Sequence, residues 1–194
     1  APQLDNNTNE EIAEFIDKYI VCSIPDKNQD PVLYKLATSR KKHHHTKTCT
    51  KRKGIACRFR YPKPPVSHTV IAEPTDNEEN VNKAKSIMTK VMEIMKNAVN
   101  DVTLNDILTE AQISAEEYDN ACSVSLKRKN VMLKRQPNEA FINPYNPIIL
   151  KALRSNMDIQ YITDMWACIA YITSYMCKPE KAMSELMRNA VKGH

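Results

Sequence analysis

The stretch from Arg40 to Lys63, "RKKHHHTKTCTKRKGIACRFRYPK", holds ten lysines and arginines and no acidic residue. A segment of this composition has little apolar surface to bury, so hydrophobic collapse cannot order it. It can take a fixed shape only if something other than burial cross-links it, and it carries candidate cross-links. His43, His44, His45, Cys49 and Cys57 lie within fifteen residues. Zinc takes four tetrahedral ligands, commonly thiolate and imidazole. Cys49 and Cys57 bracket a seven-residue turn that contains Gly54. Two of the three histidines would complete the set. In an extended chain alternate side chains point the same way, which favours His43 and His45. Four ligands so close in sequence would staple a loop too short and too charged to fold by burial. The competing reading is a solvated basic loop with an incidental run of histidines.

Charge separates this loop from the rest of the chain. The whole carries a formal +5, yet outside residues 40–63 there are 18 Lys and Arg against 23 Asp and Glu. A mildly acidic body thus bears one concentrated basic block, a pattern that suits contact with a polyanion. The candidate contacts are Arg40, Lys41, Lys42, Lys47, Lys51, Arg52, Lys53, Arg58, Phe59, Arg60, Tyr61 and Lys63. In "CRFRYP" cations alternate with aromatics. An extended backbone would send Phe59 and Tyr61 one way and Arg58 and Arg60 the other, pairing base stacking with phosphate contact. Phe59 is equally well placed to cover a metal site.

Several function classes have no sequence support. The two glycines, Gly54 and Gly193, form neither a Walker loop nor a GxGxxG motif. No apolar run approaches the roughly 18 residues of a membrane span, and no membrane partner is expected. The opening residues, "APQLDNNTNEE", are polar and acidic, unlike a secretory signal. They suit a loop continuing from something earlier, so the chain is expected to be a fragment. With six cysteines and only Cys49 and Cys57 forming a local pair, a metal site is a better expectation than a disulfide framework.

The remaining patterns indicate a helix-rich α+β chain. "NEEIAEFIDKYI" (9–20) has helical apolar spacing, and "DPVLYKLATSRKK" opens with an Asp cap and a Pro at the first position. "SHTVIAEP" reads as a short strand, residues 77–97 as a long helix, and "TLNDILTEA" and "SAEEYDNACSVS" as two shorter helices. "NVMLKRQP" and "IILKALRSNMDIQYI" read as strands separated by the proline-punctuated "NEAFINPYNP". A helix follows at about 163–177, and Pro179 opens a last one. The expected divisions are a helical segment at 1–42, the basic loop at 43–66 and a helix-rich remainder at 67–194.

On the helix near residue 170, Tyr171, Tyr175 and Lys178 fall on one stripe, continued by Asp164 and Cys168. Met165, Ile169, Ile172 and Met176 fall on another face and read as its buried side. Taken alone, two tyrosines four residues apart are ordinary boundary residues of an amphipathic helix.

Three segments together carry a resemblance. "IDKYIVCSIPD…DPVLYKLA", "HHHTKTCTKRKGIACRFRYPKPP" and "LKRQPNEAFINPYNPIILKALRSNMDIQYITDMWACIAYITSYMCKPEKAMSEL" resemble, in this order, the replication-initiator nuclease region of Helitron transposons and related helicase-like proteins. That family belongs to the HUH class of rolling-circle endonucleases, so the resemblance implies an HUH-type nuclease fold with the basic loop as a zinc-binding insertion. It also implies single-stranded DNA as the partner, a nuclear location and a helicase domain covalently joined in the full-length parent. Tyr171 and Tyr175 would be nucleophiles, with Lys178 stabilising phosphate charge; at Ser174 many members carry lysine. The class binds catalytic Mg²⁺ or Mn²⁺ on an apolar His-x-His strand that lies just upstream of the "IDKYI" helix. No such strand is present here, and "HHH" at 43–45 belongs to the loop. The resemblance therefore implies the C-terminal part of the nuclease domain, inactive alone. A non-catalytic, zinc-stabilised nucleic-acid-binding module is the alternative.

Overall fold

In the computed structural model the described residues are 8–46, 49, 57–98, 102–125, 129–163 and 165–176, with only the backbone described at 167, 174 and 175. The chain divides into two compact units, Ala1–Tyr161 and Ile162–His194. The class is α+β, as expected.

Local sequence signals account for most elements of the first unit. Helix α1 (Asn9–Tyr19) starts at a capping box between Thr8 and Glu11 and places two glutamates in its first turn. Helix α2 (Pro31–Leu36) is capped by Asp30, whose carboxylate accepts from the Leu33 amide at 2.9 Å. It runs into a single π-helical turn, Ala37–Lys41. Strand β1 (Val70–Pro74) follows, then α3 (Glu78–Asn97), α4 (Leu104–Ala111) and α5 (Ala115–Cys122). Thr103 with Asp106, and Ser114 with Glu117, form further capping boxes. Strands β2 (Val124–Ser125) and β3 (Asn130–Met132) flank β1, parallel and antiparallel to it respectively. Helix α6 (Pro147–Leu153) completes the unit, and α7 (Met165–Met176) lies in the second.

Among the described residues, three apolar clusters hold the first unit beside a smaller fourth of Cys49, Cys57 and Tyr61 with Phe141. Val91, Ile107, Leu108 and Tyr118 join α3, α4 and α5 over Val66. Tyr118 donates its hydroxyl to the Pro65 carbonyl at 2.8 Å, tying the end of the basic loop to this core. Ile12, Ile16 and Ile20, one turn apart along α1 and at its C-cap, pack on Ile71 of β1. Cys22, Leu33, Ala37, Ile142, Tyr145 and Leu150 form the third cluster. Burial pushes the Cys22 thiol up to about 11, as suits a packing residue.

Residues 135–145 connect these clusters. Arg135 pairs with Val66, Ile142 with Lys42, and Tyr145 with Val21 in isolated antiparallel bridges. Buried Glu139 accepts from the Ile24 amide and the Gln136 amide, both at 2.7 Å. The Arg135 guanidinium donates to the carbonyls of Glu139 and Ile142. The "NEAFINPYNP" stretch is therefore the seam that fastens distant segments.

Two sequence expectations are corrected. "IILKALRSNMDIQYI" is not strand: residues 147–153 are helical, started by the Asn146 cap and Pro147 and ended by Arg154 in the left-handed conformation (φ 50°). The cap and proline outweigh the β-branched pair Ile148–Ile149. In α7, Met165, Ile169, Ile172 and Met176 are exposed rather than buried. The helix expected after Pro179 lies outside the described residues. Among the described residues no helix is long and apolar enough to cross a membrane.

Glu139→Ala is expected to leave the part-buried Ile24 amide without its acceptor, at about 1–3 kcal/mol, while the amide of exposed Gln136 can turn to water at little cost. Glu139→Gln keeps one acceptor oxygen and should cost less. Urea unfolding of the two variants checks both the size and the order of these losses.

Candidate metal centre

The π-helical turn delivers the chain into an extended run beginning at Lys42. There the Lys42–Ile142 bridge, a His43 amide bond to the Phe141 carbonyl (2.7 Å) and an Asn143 amide bond to the Lys41 carbonyl (2.7 Å) hold the backbone against the seam. His43 and His45 fall on the same side, with ring centroids 5.2 Å apart. Next the chain turns back, the Cys49 amide donating to the Thr46 carbonyl at 3.0 Å and the Thr46 amide lying 3.2 Å from Cys49 Sγ. The return strand is fixed by the Arg58 amide on the Cys49 carbonyl (2.8 Å) and the Lys63 amide on the Ala140 carbonyl (2.8 Å).

These constraints converge four ligand atoms. Cys57 Sγ lies 3.4 Å from His43 Nε2, and Cys49 Sγ lies 3.6 Å from His45 Nδ1. All four lie within 4.8 Å of one another. A tetrahedral zinc with Zn–S of about 2.3 Å and Zn–N of about 2.05 Å has a sulfur–nitrogen edge of about 3.6 Å. The two measured separations are close to that edge. His43, His45, Cys49 and Cys57 could thus hold a metal ion such as zinc.

The surroundings favour the forms that bind metal, neutral imidazole and thiolate. Both cysteines are buried and His43 is half-buried. Burial lowers the His43 pKa below the usual imidazole range, helped by the neighbouring positive charges of His45, His44 and Lys63. At Cys57 burial acts against the thiolate. Hydrogen bonds from the backbone amides of Tyr61, Phe59 and Arg60 and from Cys49 prevail and hold its pKa below the ordinary thiol value.

An aromatic shell backs the ligands. Tyr61 stacks on His43 with centroids 4.3 Å apart, and Phe141 meets His45 edge-on at 5.8 Å. The Tyr61 hydroxyl donates to Asn143 Oδ1 at 2.6 Å, while the Asn143 amide nitrogen donates to the Lys41 carbonyl at 3.0 Å. Phe141 and Asn143 were not singled out in the sequence. They reach the site through pairing across about a hundred residues, and no local pattern announces that.

The residues read as candidate DNA contacts differ in exposure. Arg40, Lys42, Arg58, Phe59 and Arg60 are exposed. Lys41 is fully buried, its ammonium bonded to Asn156 Oδ1 and the Met157 carbonyl, so it presents no charge to solvent. Burial lowers its pKa. Tyr61 is buried under the centre and offers no stacking face. Half-buried Lys63 donates to the Phe59 carbonyl at 2.9 Å, and burial lowers its pKa. The extended alternation expected for "CRFRYP" is replaced by a turn, with Arg60 left-handed at φ 59° and a cis Tyr61–Pro62 peptide. Lys47, Lys51, Arg52 and Lys53 lie outside the described residues. On α7, Tyr171 is exposed, and Tyr175 follows one turn later in the backbone; Lys178 lies outside the described residues.

Comparison of the chain with family models, curated proteins and solved structures gives no match.

Protein purified in the presence of Zn²⁺ is expected to retain about one ion per chain, and Cys57→Ser to lose it. Elemental analysis of both gives the answer. Undiminished zinc in a Cys49→Ser/Cys57→Ser double variant would overturn the assignment of these ligands.

Proposed function

We propose that residues 40–63 form a zinc-stabilised contact for single-stranded DNA within a Helitron-type strand transferase whose nucleophiles are Tyr171 and Tyr175. The observation that carries the reading is the placement of Arg58, Phe59 and Arg60. All three are exposed on a turn whose backbone is bonded to the two cysteines of the four-ligand cluster. A basic, aromatic turn fixed by a metal cross-link offers phosphate contact and base stacking on one rigid element.

On this reading the chemistry is phosphodiester transfer. A tyrosine oxygen attacks the phosphorus, the strand's 3′ oxygen leaves, and a 5′-phosphotyrosine and a free 3′-OH result. Two tyrosines one helical turn apart allow one to hold the first cut end while the other makes the second cut. Lys178 balances charge on the phosphate. The metal that polarises the scissile phosphate in this class is Mg²⁺ or Mn²⁺ on a His-x-His strand, which this sequence does not contain. On this reading activity would need that strand, and the family resemblance implies a parent that carries it together with a helicase domain and works in the nucleus.

A second reading is a binding module without catalysis. It is favoured by the fact that the one metal-capable cluster among the described residues is the loop's own.

Two measurements test these readings, the first the DNA contact they share and the second the catalysis that separates them. For single-stranded DNA, log affinity should fall with log salt at a slope of about −0.7 per phosphate contacted. Charge reversal at Lys51, Arg52 and Lys53 should flatten it. An unchanged slope places the binding surface elsewhere. With an upstream histidine strand restored and Mn²⁺ added, a covalent protein–DNA adduct is expected, weakened by Tyr171→Phe or Tyr175→Phe and abolished by both. An adduct that survives the double change eliminates the tyrosine mechanism.

A further inference from the structure

Phe59 is 47% exposed although its neighbour Tyr61 is buried. The Arg58 guanidinium lies 4.5 Å from the ring centroid, and His43 meets the ring edge-on at 5.8 Å. The guanidinium lies over one part of the ring, and the rest of the ring is open to solvent, flanked in sequence by two exposed arginines. The turn that presents it depends on the metal ligands. The Arg58 amide is bonded to the Cys49 carbonyl (2.8 Å) and the Arg60 amide to the Cys57 carbonyl (2.9 Å), while the ring rests against His43, itself a ligand. Three of the four ligand residues therefore touch the turn directly.

We infer that Phe59 is a stacking platform for one unpaired base, and that the metal centre controls it. The inference rests on the reading of residues 40–63 as a DNA contact and adds how that contact discriminates and is regulated. An unpaired base can lie on the ring as the Arg58 guanidinium swings from over it to an adjoining phosphate, with exposed Arg60 free to meet the next one. A base inside a duplex has both faces occupied by its neighbours and cannot do so. With an ion bound, His43, Cys49 and Cys57 are fixed and the turn is preorganised. Without it, the strand must order the turn on binding, which weakens its affinity. Linkage makes the effect mutual: the strand raises the affinity for the ion by the same factor as the ion raises the affinity for the strand.

The experiment uses the whole chain, loaded with Zn²⁺ or stripped with a chelator, and a short oligothymidylate carrying one 2-aminopurine. The loaded protein should bind it, quench its fluorescence and prefer it to a duplex of the same length. Phe59→Ala should abolish the quenching and weaken binding roughly ten-fold. The zinc content and the salt slope should stay unchanged, because no charge is removed. Phe59→Trp should keep both binding and quenching. Stripping the metal should weaken binding of the unaltered chain by a similar factor, and saturating oligonucleotide should slow zinc loss to a chelator. If the loaded protein binds the strand with affinity indifferent to both Phe59→Ala and metal removal, the platform is refuted while the basic surface stands. If the loaded protein does not bind at all, the DNA reading fails and the inference fails with it.

Discussion

The short antiparallel contact between residues 41–43 and 141–143 is the constraint on which the rest of the site depends. The His43 amide meets the Phe141 carbonyl and the Asn143 amide meets the Lys41 carbonyl, each at 2.7 Å. This pairing fixes the first ligand before any metal is considered. It also brings Asn143 under the Tyr61 hydroxyl and Phe141 beside His45, so both ends of the basic loop rest on one support. The support is itself rigid because Arg135 and Glu139 satisfy buried backbone groups around it. Among the described residues no buried side-chain nitrogen or oxygen lacks a partner. The described ends of a charged loop with little to bury, residues 43–46, 49 and 57–63, are thereby held from their roots.

What the sequence made legible was mostly local. The helices capped by Thr8, Asp30, Thr103 and Ser114 start near where helices were expected, because a side-chain oxygen bonding an amide two or three residues on needs no tertiary contact. The four ligand residues were legible for a related reason: their convergence needs only an extended run, two turns and the right residue types. Period-based reading failed where context decides. Phe15 and Tyr19 share the apolar spacing of α1, yet only Ile12, Ile16 and Ile20 meet Ile71. The exposed apolar positions of α7 are the same kind of miss, since spacing shows which residues share a face and not what that face meets.

Composition misled at single residues in the basic block. Arg40, Lys41 and Lys42 are adjacent and chemically alike, but the turn from π-helical to extended backbone sends the middle one inside. There its ammonium anchors the segment at Asn156 and Met157. Tyr61 likewise became packing material while Phe59, two residues earlier, stayed outside. A left-handed residue and a cis peptide between these aromatics break the simple alternation from which their directions were inferred.

Zinc held by the four-ligand cluster would have an electrical consequence. Two thiolates and one divalent cation sum to zero, and two neutral imidazoles add nothing. A loop of this composition stapled by acidic side chains would give up part of its positive potential for every bond that ordered it. A zinc ion held by His43, His45, Cys49 and Cys57 would leave the field of the surrounding arginines and lysines intact, so ordering the loop would cost none of its positive potential. That independence is consistent with ten cations sharing residues 40–63 with no carboxylate among them.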